Sequence, residues 1–217
     1  MNHQTTFLLL FLGLTITLWM GCTNVYYPTT LNTPLFEEEG EKIVDVSFNS
    51  GSFVVSGGYA MRKHLALSGQ VSAFTLYDDA GYVNGGESLQ FDIAPGYFTK
   101  FGQQIIFETY AGYGIGRTIA DDFDGILHKF YVQPNVGFRG ERLHGAFSLR
   151  MMNVLFDARD PLFELGNVTY IEPAVTAKFG GNRFLFTTQV GGSFPVKADY
   201  YNPDFSFIVS IGWAYLF

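Results

Sequence analysis

At 217 residues the chain has room for one all-β domain, and a composition of 47% hydrophobic and 18% aromatic residues with 25 glycines excludes a disordered polypeptide. A formal charge of −7 and a pI near 5.0 exclude a phosphate-neutralising surface, so no nucleic-acid partner is expected. The single cysteine, Cys22, excludes an internal disulfide and a multi-cysteine metal cluster, and neither a cofactor nor a metal site is expected.

The chain opens on an apolar stretch from Phe7 to Met20, too short to cross a bilayer as a permanent helix, that ends in Gly21-Cys22. Residues 1–21 therefore read as an export signal peptide. The segment resembles a bacterial lipoprotein signal, which implies lipid attachment at Cys22; an ordinary secretory signal with an incidental cysteine is the alternative. No sustained alternation follows until Glu41. The run YYPTTLNTPLFEEEGE combines Pro28, Pro34 and Gly40 with Glu37, Glu38, Glu39 and Glu41, and residues 22–41 read as a lipidated, partly extended periplasmic tether.

From Lys42 onward the pattern changes to period two, the signature of strands with one apolar face. In the first strand Val44, Val46 and Phe48 alternate with Asp45, Ser47 and Asn49, and a tight FNSGS connection leads to the second at 53–60. Further strands are expected near 65–72, 89–97, 105–116, 130–138, 143–152, 170–179 and 184–194. The tenth comprises the last thirteen residues, FSFIVSIGWAYLF, in which Trp213, Tyr215 and Phe217 share a face opposite Gly212 and Ala214. Pro95, Pro134 and Pro173 recur every 39 residues, each in mid-strand, so one hairpin with its loop is the repeating unit and a shared local bulge is expected at each proline.

Size and charge decide which face meets solvent. The apolar parity carries more Phe, Tyr, Trp, Leu and Ile than a ten-strand interior can hold, and the other parity is Gly, Ala, Ser and Gln rather than a dense charged coat. The expected fold is therefore an all-β, transmembrane, antiparallel up-and-down β-barrel over residues 42–217, apolar outward. Ten strands fit best, and eight follow if the tight first hairpin is misread. Short connections (MRKH, TKFGQ, RGERLH, GGNR) carry bases; the longer ones, near 77–87, 117–125, 157–166 and 195–204, hold eleven acidic against three basic side chains. The long, acidic set is expected outside and the short set in the periplasm.

The Cys22 signal, the YYPTTLNTPLFEEEGE lead-in and the aromatic last strand resemble a Bacteroidota-type outer-membrane β-barrel lipoprotein, in the small outer-membrane barrel superfamily, over nearly the whole chain. The resemblance implies residence in the bacterial cell outer membrane, outer-membrane lipid as a partner, and recognition of Trp213, Tyr215 and Phe217 by the barrel-assembly machinery during biogenesis. Both termini are then expected in the periplasm.

Inward parity places Asp45, Asp92, Glu108, Arg150, Glu172 and Lys178 in the lumen, where opposite charges should pair, Arg150 with Glu172 on the adjacent strand. Such a network closes a small barrel, and a structural or surface-interaction role follows, with an unidentified extracellular or outer-membrane protein partner. A narrow channel for small solutes is the alternative. Ten strands is also the number in the omptin proteases, which carry acidic and histidine groups at the outer rim; here His128, near Asp124 in sequence, is the one histidine expected towards that side. The pair forms no diagnostic motif and falls on the outward parity, so no catalytic residue and no enzyme activity are expected. DDFDG at 121–125 lacks the full calcium-loop ligand set and reads as an acidic turn. Tyr82, Tyr200 and Tyr201 offer loop contact or interface-belt positions.

Overall fold

The computed structural model describes residues 26–49, 51–75, 86–102, 104–120, 123–158, 166–181, 183–198 and 205–217. Ten antiparallel strands run in chain order: β1 (Lys42–Asn49), β2 (Ser52–Arg62), β3 (Leu65–Thr75), β4 (Glu87–Phe101), β5 (Ile105–Ala120), β6 (Phe123–Arg139), β7 (Leu143–Ala158), β8 (Asn167–Gly180), β9 (Phe184–Ala198) and β10 (Ser206–Leu216). Each pairs with its neighbours in sequence, and β10 returns to β1 through Ile43↔Leu216 to Asn49↔Ser210. Closure leaves no free edge, which is what a sheet needs in hydrocarbon, where no water satisfies an unpaired amide.

The faces divide as the alternation requires. Large apolar side chains stand on the outside, Leu89 and Phe184 each 60% exposed and Ile211 52%, whereas the inward Val54, Ser72 and Asn135 are fully buried. Such a continuous apolar exterior is a surface for lipid. Trp213 packs edge-on against Phe186 at 6.1 Å, and Tyr215 against Phe217 at 4.7 Å, so the terminal aromatics lie on the outer face beside the β1–β10 seam.

The barrel has a turn end, with connections near residues 63–64, 102–104, 140–142 and 181–183, and a loop end that carries the longer ones. At the loop end the strands extend further than their lipid-facing alternation. The span 117–125 read as an outer loop is largely a ladder, with β5 and β6 paired from Arg117↔Ile126 up to Ala120↔Phe123. A hairpin that rises beyond the apolar band needs main-chain pairing but no apolar parity, so the period-two test lost it.

The repeated prolines do not sit in bulges. Ile93↔Tyr113 and Gly96↔Tyr110 flank Pro95, Val132↔Met151 and Asn135↔Ser148 flank Pro134, and Ile171↔Phe194 and Ala174↔Gly191 flank Pro173, in each case without a change of register. Towards the preceding strand each proline is paired, as Leu67↔Pro95, Thr109↔Pro134 and Leu149↔Pro173. The missing N–H thus opens the ladder locally on the side of the following strand, and two residue pairs are skipped rather than one residue inserted. Register shifts occur elsewhere, at Ala60/Arg62 and Thr169/Tyr170.

The largest departure from expectation concerns the lead-in. The stretch read as a periplasmic tether does not hang free of the barrel: residues 26–36 run through the lumen, with Thr29 and Phe36 fully buried, Leu35 1% exposed and Leu31 2% exposed. Tyr26 packs against Leu127, Met152, Val154, Val168 and Tyr170, towards the loop end. Phe36 packs against Ala60, Ala66, Phe98 and Leu216, at the turn end. The chain then turns through Glu37–Gly40 and enters β1. Inward side chains as small as Gly, Ala, Ser and Thr cannot fill a ten-strand interior, and one extended segment supplies the missing volume. Tyr26 and Phe217 consequently lie towards opposite ends of the barrel; the N-terminus, expected in the periplasm, lies outside the described residues.

Candidate functional site: the lumen and its occupant

Side chains from seven strands hydrogen-bond the luminal segment. Arg150 on β7 lies opposite Glu172 on β8; its Nε donates to Glu172 Oε2 at 2.6 Å and its Nη2 lies 2.5 Å from the same oxygen. The guanidinium also donates from Nη2 to the Thr29 carbonyl at 3.0 Å and from Nη1 to Thr29 Oγ1 at 3.3 Å. Tyr26 Oη donates to the other Glu172 oxygen at 3.2 Å. The expected Arg150–Glu172 pair therefore forms, and it also holds the occupant to the wall. A fork with several donors at fixed angles does both, which a point-charge lysine would not.

A second cluster spans three strands. Lys129 on β6 reaches across β5 to β4, with Nζ 2.8 Å from Asp92 Oδ1, and donates to Asp92 Oδ2 and to Gln90 Oε1 at 2.9 Å each. Glycines on β5 clear the path: a Cβ on Gly114 would stand 2.6 Å from Lys129 Cε and collide with Asp92, and one on Gly116 would stand 2.8 Å from Gln90 Cγ. A third cluster joins β8 to β1 across the interior, Lys178 Nζ lying 3.8 Å from Asp45 Oδ2, which also accepts from Thr187 Oγ1 at 3.1 Å. Glu108 on β5 is met by amides: it accepts from the Phe36 amide at 2.9 Å and from Asn135 Nδ2 at 3.3 Å. All six acidic and basic residues expected in the lumen are buried there.

The occupant's main chain is held by wall amides as well as by charges. Gln189 on β9 donates to the Leu31 carbonyl at 2.9 Å and accepts from the Leu31 amide at 2.8 Å, the pattern that a neighbouring strand would provide. Gln133 donates to the Asn32 carbonyl at 2.7 Å, and Asn32 Nδ2 donates to the Gly57 carbonyl at 2.8 Å and to Ser68 Oγ at 2.9 Å. Absent side chains make room: a Cβ on Gly58 would stand 2.9 Å from Phe36 Cζ, and one on Gly137 would stand 2.6 Å from Leu35 Cδ2. Leu35 itself adopts φ 58°, a left-handed conformation uncommon for leucine that only enclosing packing sustains.

At the turn end the acidic elbow meets the basic rim. Glu37 pairs with Lys100 at 2.8 Å, Glu41 with Arg139 at 2.8 Å, and Glu39 accepts from the Lys63 amide at 2.9 Å. Among the described residues, polar voids of about 10 Å³ lie beside the occupant near Asn32, Gln70 and Arg150 and near Thr30, Ser47 and Lys178. That volume is about one water molecule.

Sequence reasoning missed Lys129, Gln133 and Gln189 as binding groups, and the occupant with them. Lys129 was legible, since carrying the parity of Tyr131 and Gln133 back by one step places it inward. The occupant left a fainter signal: Tyr26–Phe36 contains no charged residue, unusual for a solvated tether beside a run of glutamates. His128 and Asp124 are not brought together. Four positions along one strand separates them by about 13 Å; Asp124 is engaged by the Arg117 fork at 3.1 and 3.2 Å, and His128 Nδ1 shares a 2.7 Å hydrogen bond with Tyr113 Oη. Among the described residues no group of three or more His, Cys, Asp or Glu side chains is placed to hold a metal ion. Cys22, Asp121, Asp122, Tyr82, Tyr200 and Tyr201 lie outside the described residues.

No protein-family model matches the chain, and no curated protein matches it. Among solved structures the chain is similar to the COG4313 outer-membrane channel from Pseudomonas putida F1, with TM-score 0.48 and 10% identity over 88% of this chain and 100% of that one. It is also similar to the translocator domain of the autotransporter NalP from Neisseria meningitidis, with TM-score 0.42 and 9% identity over 98% and 95%. A third is the KdgM porin in complex with disordered oligogalacturonate, with TM-score 0.38 and 11% identity over 81% and 98%.

Proposed function

We propose that this protein is an outer-membrane β-barrel closed at rest by its own lead-in segment, acting in a structural or surface-interaction role rather than as an open pore. The observation that carries the reading is the occupied lumen: Tyr26–Phe36 is bound by Arg150, Gln189, Gln133 and Glu108, leaving voids of about 10 Å³. A hydrated ion needs a continuous wet path, and each of these two voids is by itself too small to carry one past the occupant. The apolar exterior and closed ladder support outer-membrane residence. With the acidic loop end outward, the connections at that end are available to a surface partner, and Tyr26 lies towards the same side.

Planar-bilayer recording tests this. The intact mature chain should show no discrete openings, and deletion of residues 26–36 should produce steady ones. Openings in the intact chain would replace this reading with that of a narrow solute channel.

A further inference from the structure

The way the lumen holds its occupant points beyond closure. A segment that merely filled space would need only side-chain contacts, whereas here the wall addresses the main chain as well as the side chains of Tyr26, Thr29 and Asn32. The carbonyls of Pro28, Thr29, Leu31 and Asn32 accept from Asn49, Arg150, Gln189 and Gln133, and the amides of Leu31 and Phe36 donate to Gln189 and Glu108. Main-chain groups are common to every polypeptide. Two buried prolines, Pro28 and Pro34, hold φ near the extended range and carry no N–H that the lumen would have to satisfy. Gly58 and Gly137 open recesses for Phe36 and Leu35, which add side-chain selection to main-chain binding. Beyond the last recess, the basic turn-end rim takes an acidic continuation through Lys100, which pairs with Glu37 at 2.8 Å.

We infer that the lumen is a binding site for an extended peptide, apolar and proline-containing with an acidic C-terminal flank, and that the lead-in is its resident ligand, exchangeable for a separate peptide of the same kind. The inference builds on the closed-barrel reading but is tested apart from it, because it concerns binding to a severed chain rather than conductance of the intact one.

The elbow allows the test. Glu38 and Glu39 are exposed, so a protease site inserted between them can be cut in the folded barrel, turning residues 26–38 into a non-covalent ligand. The cut segment should co-purify with the barrel and exchange for a fluorescent synthetic peptide of residues 26–38, but not for the reversed sequence. Gln189→Ala removes two main-chain bonds and should weaken peptide binding about tenfold or more. A cut barrel that keeps its heat-resistant migration on gels yet neither retains the segment nor takes up the peptide overturns the inference. If cutting unfolds the barrel, refolding with the peptide supplied separately decides: recovery with the forward and not the reversed peptide supports the site, and recovery with neither overturns it.

Discussion

Arg150 shows how one side chain can serve wall and occupant together. It pairs with Glu172 along the ladder and donates to Thr29 across the lumen, with the Tyr131 ring 5.8 Å beneath its guanidinium. Both charges are almost fully buried, so removing one leaves the other without compensation, whereas removing both costs little. Arg150→Ala should therefore lower the unfolding free energy in lipid by about 3–5 kcal/mol, and Arg150→Met with Glu172→Leu by much less. Urea titration of the two variants in liposomes checks the difference; equal losses would mean that the pair is not what stabilises this level of the barrel. The Arg150–Glu172 contact was legible because adjacent strands and shared parity bring it together. The Lys129–Asp92 contact was harder to see, since it leaps a strand and depends on glycines at 114 and 116 that carry no charge signal of their own.

At the scale of elements, the lead-in behaves as an eleventh extended segment bound by side chains instead of a ladder. Its seating depends on recesses as much as on hydrogen bonds. A Gly58→Val change puts methyl groups into the space of Phe36 and Pro34, both of the occupant, which should dislodge the lower half of the segment while the surrounding ladder persists. The expected outcome in planar bilayers is flickering conductance, intermediate between the silent parent and the deletion of residues 26–36. Silence in Gly58→Val together with normal folding would show that the segment adapts. The elements themselves were legible to within a few residues from Lys42 to Phe217, because each strand had to present an apolar side to lipid. Their upper ends were not, because above the apolar band that constraint weakens and the β5–β6 ladder continues on main-chain pairing and the Arg117–Asp124 ion pair.

For the molecule as a whole, orientation decides what a partner can meet. Lys197 near the loop end of β9 and Lys63 in the β2–β3 turn lie at opposite ends of the barrel, and both are exposed; the proposed orientation puts Lys197 outside and Lys63 in the periplasm. Lys197→Cys should therefore react with an impermeant maleimide on intact cells, and Lys63→Cys only after the outer membrane is breached. The reverse pattern would invert the barrel and move the acidic rim to the periplasm.

What was legible in the amino-acid sequence was the barrel: ten strands as the best fit, which parity faces lipid, and all of the luminal charges named above except Lys129. Those properties are local and repetitive, since period-two alternation is enforced at every strand by a solvent that tolerates no polar outward side chain. Tertiary structure alone decided what fills the lumen. The lead-in has no periodicity to read, because it matches no sheet partner; its position follows from the interior volume that ten strands of small inward residues leave over, and from the Arg, Gln and Glu groups that closure brings around its main chain. The same holds for the prolines, whose spacing was visible but whose effect, an opened ladder without a register shift, depended on which neighbouring strand the missing N–H faced.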